Sequence, residues 1–122
     1  MMREKIIRDW FQAWIDADIS AVRRTFTEDA VYTECYGPEY RGIEQIEKWF
    51  ADWNKKGRVL EWKIGRMFEC GASVIAQWYF KCDYEGEVSG FDGVTIADFD
   101  GSLISRLCEF QSKSEHVHPY GI

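Results

Sequence analysis

Glu34 is the residue of this chain whose surroundings in the sequence best suit acid–base chemistry. A run of β-branched and aromatic residues over 30–36 predicts a strand. Alternation along that strand places Tyr32, Glu34 and Tyr36 on one face. A carboxylate desolvated beside two phenols has a raised pKa, and a pKa near the working pH suits a general base. The other interpretation is that Glu34 faces solvent or pairs with Arg41 at the rim.

Three helices are predicted to position this strand. Apolar residues at three-and-four spacing predict a helix over 3–17, and a shorter one over 19–26 with Asp18 as its cap. A third helix is predicted over 43–56, where Gly57 is expected to supply a left-handed stop. Each helix has one apolar face, so the three should cover one side of a sheet.

The second half of the chain is predicted to be a run of strands. They cover 59–70, 73–84, 87–99 and 103–112, and Gly37-Pro38, Gly71, Gly86 and Asp100-Gly101 mark the turns. Helices followed by antiparallel strands indicate an α+β fold with segregated layers.

Length and charge limit the classes of protein to which the chain can belong. At 122 residues and a net charge of −6, residues 1–122 are expected to form a single domain, with 113–122 as a loosely specified tail. The acidic balance disfavours nucleic-acid and membrane partners. The charged N-terminal segment does not resemble a signal peptide, and no apolar run is long enough to span a membrane, so a cytoplasmic location is expected.

The cysteines and histidines do not form a recognisable metal or disulfide pattern. The four cysteines, none of them in a C-x-x-C pair, are expected to be free thiols: Cys35, Cys70, Cys82 and Cys108. His116 and His118 both fall in the tail, away from any carboxylate cluster. No cofactor and no metal are therefore predicted.

Several short motifs, in order, resemble one family. They are Phe26-x-x-Asp29-Ala30, Gly37-Pro38, Arg41-Gly42-Ile43-x-x-Ile46, Trp78-x-Phe80 and Phe91-Asp92-Gly93-Val94. Their order over about 5–112 resembles the order of motifs in the SnoaL-like branch of the nuclear transport factor 2-like superfamily. The resemblance implies a cystatin-like α+β roll, in which a cone-like, curved antiparallel or mixed sheet wraps around three N-terminal helices. It also implies a pocket open at one end and an outer sheet face that commonly forms a homodimer.

The resemblance extends to function only in part, because the superfamily includes ketosteroid isomerases, polyketide cyclases, dehydratases, epoxide hydrolases and non-catalytic domains. Glu34 falls on the position of the isomerases' catalytic carboxylate. Their oxyanion-stabilising tyrosine and acid are replaced by Trp10 and Thr95, so isomerase activity on steroids is disfavoured. The epoxide hydrolases have an Asp-Arg-Asp set lining the cavity. Asp92 and Arg106 are the candidates for it in this chain, but strand alternation predicts that both face outward.

The predicted pocket wall combines helix tryptophans with the inner face of the sheet. The ligand-binding residues are expected to be Trp10, Trp14, Tyr32, Tyr36, Trp49, Trp53, Trp62, Trp78, Phe80, Phe91 and Thr95. Cys82 and Tyr84 share a face with Trp78 and Phe80. The small residues Gly93, Thr95 and Ala97 either leave room for a cavity or accommodate the bulk of a tryptophan.

Glu109 is the second catalytic candidate, provided that the register implied by the resemblance holds. Two carboxylates in one apolar pocket push their pKa values apart and yield an acid and a base. If the last strand is shifted by one residue, Cys108 and Phe110 face inward instead and Glu109 is solvated.

These observations lead to two functional hypotheses. In the first, the protein is an isomerase, cyclase or lyase that acts on a small apolar or aromatic carbonyl compound, with Glu34 as general base and Glu109 assisting. In the second, it is a non-catalytic ligand-binding or dimeric association domain. The surface relevant to association carries Tyr79, Val94, Ile96, Cys108 and Phe110.

Overall fold

The computed structural model describes residues 2–121, and in that part of the chain three helices precede or interrupt six strands. The helices are α1 (Met2–Asp16), α2 (Ala21–Thr25) and α3 (Ile43–Lys56). The strands are β1 (Phe26–Thr33), β2 (Glu39–Arg41), β3 (Gly57–Cys70), β4 (Ser73–Tyr84), β5 (Glu87–Asp100) and β6 (Leu103–Ser112). No helix among these residues is long and apolar enough to cross a bilayer.

The six strands form one mixed sheet in the order β2-β1-β6-β5-β4-β3. All neighbours are antiparallel except β1 and β6, which run parallel. Register shifts in β3, for example between Ile64 and Met67, mark places where such a long strand bends. The sheet is curved and does not close on itself, which confirms the predicted α+β roll around the helices.

The core lies between the helices and the inner face of this sheet. On α1, Ile7, Trp10, Phe11 and Trp14 recur at helical spacing and are all buried. The ring of Phe11 stacks on Trp62 of β3 with centroids 4.0 Å apart. α1 therefore packs mainly on β3, whereas α3 packs mainly on β1 and β2.

The first strand ends earlier than the sequence predicted. The backbone N–H of Glu34 donates to the Pro38 carbonyl at 2.9 Å, and that of Gly37 donates to the Glu34 carbonyl at 3.0 Å. These bonds close a turn that leads into β2, a three-residue strand that the sequence analysis missed. Glu34 and Tyr36 therefore lie in the turn after β1 and not, as predicted, within a strand over 30–36.

Two smaller predictions were also wrong. The second helix covers only five residues, because Phe26 already adopts an extended conformation and begins β1. Gly57 is not a left-handed stop, since its φ of −141° is extended and it begins β3. A glycine is needed there for another reason: a Cβ would lie 2.7 Å from Cδ1 of Tyr84. All four cysteines are free, as predicted.

Candidate functional site

A cavity of about 520 Å³ lies between the helices and the inner face of the sheet. Its size is within the range of small-molecule pockets, roughly 300–1,000 Å³. Both candidate carboxylates and nine of the predicted wall residues line it, namely Trp14, Tyr32, Tyr36, Trp49, Trp53, Trp62, Trp78, Phe80 and Phe91. The remaining lining residues are Cys35, Cys82, Tyr84, Glu87 and Ser89.

Glu109 projects from β6 into the buried part of this cavity. The register pairs it with Thr95 of β5, and its exposed fraction is only 8%. Burial raises the pKa of Glu109 to about 8, the hydrogen bond from Tyr32 lowers it, and the charge of Glu34 adds to the increase. The Tyr32 hydroxyl donates a hydrogen bond to Oε2 of Glu109. At neutral pH the side chain is therefore mostly a neutral acid.

Tyr32 is held in place by the aromatic core around it. Its ring lies 4.8 Å from that of Trp49 and 5.8 Å from that of Phe26, and the side chain is fully buried. Desolvation, together with the neighbouring carboxyl of Glu109, raises the pKa of Tyr32 well above its ordinary value. The phenol therefore stays protonated and acts as a fixed hydrogen-bond donor to Glu109.

Glu34 occupies a more open position in the turn after β1. The Tyr40 hydroxyl donates to its Oε1 at 2.7 Å, and the Tyr40 ring stacks on Trp49 with centroids 4.5 Å apart. Partial burial raises the pKa of Glu34, and the hydrogen bond from Tyr40 lowers it. Arg41, the partner considered from the sequence, instead forms an ion pair with Glu39 at 2.9 Å.

The parallel ladder between β1 and β6 explains why the two carboxylates share a cavity. Tyr32 pairs with Leu107, and Thr33 pairs with Cys108. Glu109 follows Cys108 within β6, and Glu34 follows Thr33 just beyond the end of β1. Both side chains line the cavity together with Tyr32. Cys108 is correspondingly half-buried on the other face and Phe110 is exposed. The register is the one in which Glu109 faces inward.

The two expected replacements for an oxyanion hole do not contact the cavity. Trp10 is fully buried in the core, with its ring 4.8 Å from that of Phe26. Its buried indole N–H has no hydrogen-bond partner within residues 2–121. The Thr95 hydroxyl is buried and accepts a hydrogen bond of 2.8 Å from the indole of Trp78. Neither residue is available to a ligand in this arrangement.

The small residues of β5 accommodate a tryptophan and do not form a cavity floor. A Cβ at Gly93 would lie 2.3 Å from Cη2 of Trp78, so the indole occupies the space that a side chain would need. Together with the bond from Trp78 to Thr95, this contact fixes the Trp78 ring as a wall. The interdigitation alternative from the sequence is the one observed.

The cavity thiols are poorly suited to nucleophilic chemistry. Burial, assisted by the charges of Glu109 and Glu34, raises the pKa of Cys35 to about 12. Burial also raises the pKa of Cys82. A thiol is a nucleophile only as its thiolate, which these surroundings disfavour. Proton transfer by the carboxyls is the chemistry that the site favours.

Within residues 2–121, neither the tail after residue 112 nor the outer face of the sheet contributes a residue to the lining of this cavity. His116 and His118 are exposed, and Nε2 of His116 lies 3.9 Å from a carboxylate oxygen of Asp92. No group of three or more His, Cys, Asp or Glu side chains able to hold a metal ion occurs within residues 2–121. Arg106 is exposed and does not line the cavity, so the epoxide-hydrolase set is not assembled there.

Sequence reasoning missed several residues of the site. Ser89 and Glu87 lie two and four residues before Phe91 in β5, so alternation from Phe91 was a signal that could have found them. Tyr40 had no such signal. It reaches Glu34 only because β2 folds back on β1, where Tyr40 pairs with Tyr32.

Comparison with known protein families assigns this chain to one of them. The sequence model of the SnoaL-like domain matches residues 7–107. The chain therefore belongs to the SnoaL-like domain family. A search of curated proteins finds no match to the sequence.

Solved structures from several organisms share the fold. A protein with a ketosteroid isomerase-like fold from Catenulispora acidiphila, solved in complex with trimethylamine, is 22% identical with a TM-score of 0.80, and the match covers 88% of this chain and 85% of that one. An LEH-like epoxide hydrolase of M. tuberculosis is 16% identical with a TM-score of 0.82, covering 91% and 83%. An NTF2-like protein of unknown function from Burkholderia pseudomallei is 11% identical with a TM-score of 0.78, covering 92% of each chain. At these identities the likeness concerns the fold.

Proposed function

We propose that this small-molecule-binding domain is an enzyme that transfers a proton on a small, largely apolar carbonyl compound. The observation that carries the proposal is the pair of unequal carboxyls in one aromatic cavity. Glu109 is buried and mostly protonated at neutral pH, whereas Glu34 is half-buried. Two carboxyls whose surroundings separate their pKa values have the arrangement expected of a general acid and a general base.

In the proposed reaction Glu34 acts on carbon and Glu109 acts on oxygen. The Glu34 carboxylate takes a proton from the carbon next to the carbonyl, and the electron pair of that C–H bond moves to the carbonyl oxygen. The protonated Glu109 donates a hydrogen bond to the developing oxyanion, while its Oε2 accepts a hydrogen bond from the Tyr32 hydroxyl. Where a C=C bond is conjugated with the enolate, return of the proton from Glu34 to its far carbon gives isomerisation. Where the same molecule carries a second carbonyl group, the enolate carbon attacks that carbonyl carbon, its C=O π electrons move to its oxygen, and this oxygen takes the proton from Glu34, which gives cyclisation.

The aromatic wall supports the choice of substrate class. Ten of the sixteen lining residues are aromatic, and burial of a flat apolar molecule against such rings is favourable. The indole N–H groups of Trp14 and Trp62 are buried and form no hydrogen bond within residues 2–121. The C. acidiphila protein was solved with trimethylamine, which supports binding of small molecules in this fold.

Deuterium exchange tests the proton-transfer step before the natural substrate is known. A panel of aromatic and cyclic ketones is incubated with the protein in heavy water, and exchange next to the carbonyl is followed by NMR. The wild-type protein should accelerate exchange of some members, and Glu34→Gln should lower that rate by about 10² to 10⁴. Glu39→Gln, at an exposed acid outside the cavity, is the control. Undiminished exchange in Glu34→Gln would refute the role of Glu34.

The outer face of the sheet favours a second proposal, a homodimer formed through that face. Ile96 and Phe110 are exposed there at 38% and 56%, next to the half-buried Val94, Cys108 and Tyr79. Exposed apolar side chains grouped on one sheet face are typical of an association surface. X-ray scattering in solution should give a dimer that Phe110→Asp dissociates, and a monomeric wild-type protein would exclude it.

A further inference from the structure

The charges around the cavity are all of one sign. Its sixteen lining residues include three glutamates, and no Lys, Arg or His is found among them in the described chain. The other ionisable lining groups are tyrosines and cysteines, which are neutral or negative. An anionic ligand would therefore meet repulsion and no counter-charge.

The cavity has two chemically different ends. Tyr32 and Glu109, both buried, lie at the inner end. The hairpin between β4 and β5 forms the other end, where Tyr84 pairs directly with Glu87. Glu87 is exposed, and the Trp53 ring lies 5.4 Å from that of Tyr84. The open end thus combines a solvated carboxylate with two aromatic rings.

Aromatic faces and carboxylates together attract organic cations. The face of a tryptophan or tyrosine carries negative potential, and a cation within about 6 Å of the ring centroid gains free energy from it. A quaternary ammonium cannot donate a hydrogen bond through N–H, so rings and a nearby carboxylate suit it better than a fixed donor–acceptor pair does. Trp53, Tyr84 and Glu87 supply both kinds of group.

Positive side chains near this hairpin stay outside the lining. The backbone N–H of Glu85 donates to the Lys56 carbonyl at 2.9 Å, which brings the end of α3 against the turn. Arg58 is opposite Asp83 in the β3–β4 register. Neither Lys56 nor Arg58 lines the cavity, so neither takes the position of a ligand cation.

We propose that the ligand of this cavity carries an alkylated ammonium group, which binds at the open end against the adjoining Trp53 and Tyr84 rings and beside Glu87. The neutral polar end of the same ligand then points to Glu109. This inference rests on the proposed function in assigning Glu109 to the carbonyl end. It does not depend on proton transfer by Glu34.

Three probes of nearly identical shape test the charge preference. Choline, 3,3-dimethylbutan-1-ol and 3,3-dimethylbutanoate present a cation, a neutral group and an anion, and the first two differ chiefly in nitrogen replacing carbon. Binding is followed through the indole N–H signals of the tryptophans in ¹H–¹⁵N NMR titrations. Choline should bind about tenfold more tightly than the alcohol, and the butanoate should bind more weakly than either.

Matched variants locate the cation at the proposed end. Glu87→Gln should weaken choline binding about threefold at low salt and leave the alcohol unaffected, because an exposed carboxylate contributes modestly. Glu85→Gln removes the same charge from the same turn outside the lining and is the control. Trp53→Leu should abolish most of the difference between choline and the alcohol, and circular dichroism checks that the variant is folded.

Each outcome decides either the cation inference or the proton-transfer proposal. Equal binding of choline and the alcohol, or no choline binding up to about 50 mM, overturns the cation inference and leaves the exchange experiment on Glu34 unaffected. Loss of choline binding in Glu85→Gln equal to that in Glu87→Gln also overturns it. Conversely, a Glu34→Gln variant with full exchange activity refutes proton transfer, while a cation preference would still hold.

Discussion

Glu109 and Glu34 are the same residue type in the same cavity, but their surroundings differ. Glu109 lies within β6, is flanked by a neighbouring strand and accepts a hydrogen bond from the buried Tyr32. Glu34 lies one residue beyond the end of β1 and accepts from Tyr40, which is only partly buried. Whether a carboxyl lies within a strand or just beyond its end determines how much water it keeps, and hence how far burial raises its pKa.

The contrast predicts a large pH-dependent difference in stability for Glu109→Gln. The folded-state pKa of Glu109, about 8, is above its ordinary value of 4.5, so its stability contribution is complete below 4.5 and is lost as pH rises toward 8. Between these pH values the wild-type free energy of unfolding should fall by roughly 3 to 5 kcal/mol relative to Glu109→Gln. Urea unfolding across this range measures the difference.

The same substitution at Glu34 is the control for this prediction. The pKa of Glu34 is also raised by burial, so the sign should be the same. Because that side chain keeps contact with solvent, the effect should be smaller. If the two variants had equal pH dependence, the distinction between a buried acid and a rim base would be wrong.

Tyr32→Phe should have the next largest effect. Removing the hydroxyl leaves Oε2 of Glu109 buried without its donor, which should cost about 1–3 kcal/mol. The pKa of Glu109 should also rise, because the Tyr32 hydrogen bond lowers it. Unfolding at pH 6 measures the cost, and ¹³C NMR of the glutamate carboxyls measures the pKa.

A double-mutant cycle separates this pair from general damage to the core. The double variant Tyr32→Phe/Glu109→Gln should lose less free energy of unfolding than the two single variants lose in sum, each measured relative to the wild-type protein. Simple additivity, or an unchanged titration of Glu109 in Tyr32→Phe, would show that the phenol does not act through this carboxyl.

Much of the fold could be predicted from periodicity, because one face of each element is buried. The helix Ile43–Lys56 and the strands Ser73–Tyr84 and Leu103–Ser112 have the predicted bounds. The short β2 was missed, since three residues carry almost no periodic signal and depend on pairing with β1.

The site was less predictable than the fold, because its chemistry depends on contacts between distant residues. The Tyr32 hydrogen bond to Glu109 joins residues 77 positions apart, and it requires the parallel ladder of β1 and β6. Trp10 and Thr95 were expected in the cavity from their positions in the family pattern. In the structure Trp10 is packed in the core, and the Thr95 hydroxyl accepts a hydrogen bond from the Trp78 indole.

Tyr40→Phe tests the open side of the comparison and should have the smallest effect on stability. Water can replace the lost donor at a half-buried carboxylate, so the cost should stay below about 1 kcal/mol. The pKa of Glu34 should rise, since the Tyr40 hydrogen bond lowers it. Carboxyl ¹³C titration should therefore show a higher midpoint for Glu34, with a smaller change for Glu109.

In the exchange assay, the pH at which activity appears should move upward in Tyr40→Phe, because the base becomes ionised only at higher pH. Tyr79→Phe, on the opposite face of β4 from Trp78, removes a hydroxyl outside the cavity and should leave both midpoints in place. If Tyr40→Phe shifted the titration midpoint of Glu109 as much as that of Glu34, the two carboxyls would titrate as one coupled unit. Separate acid and base roles could then no longer be assigned to them.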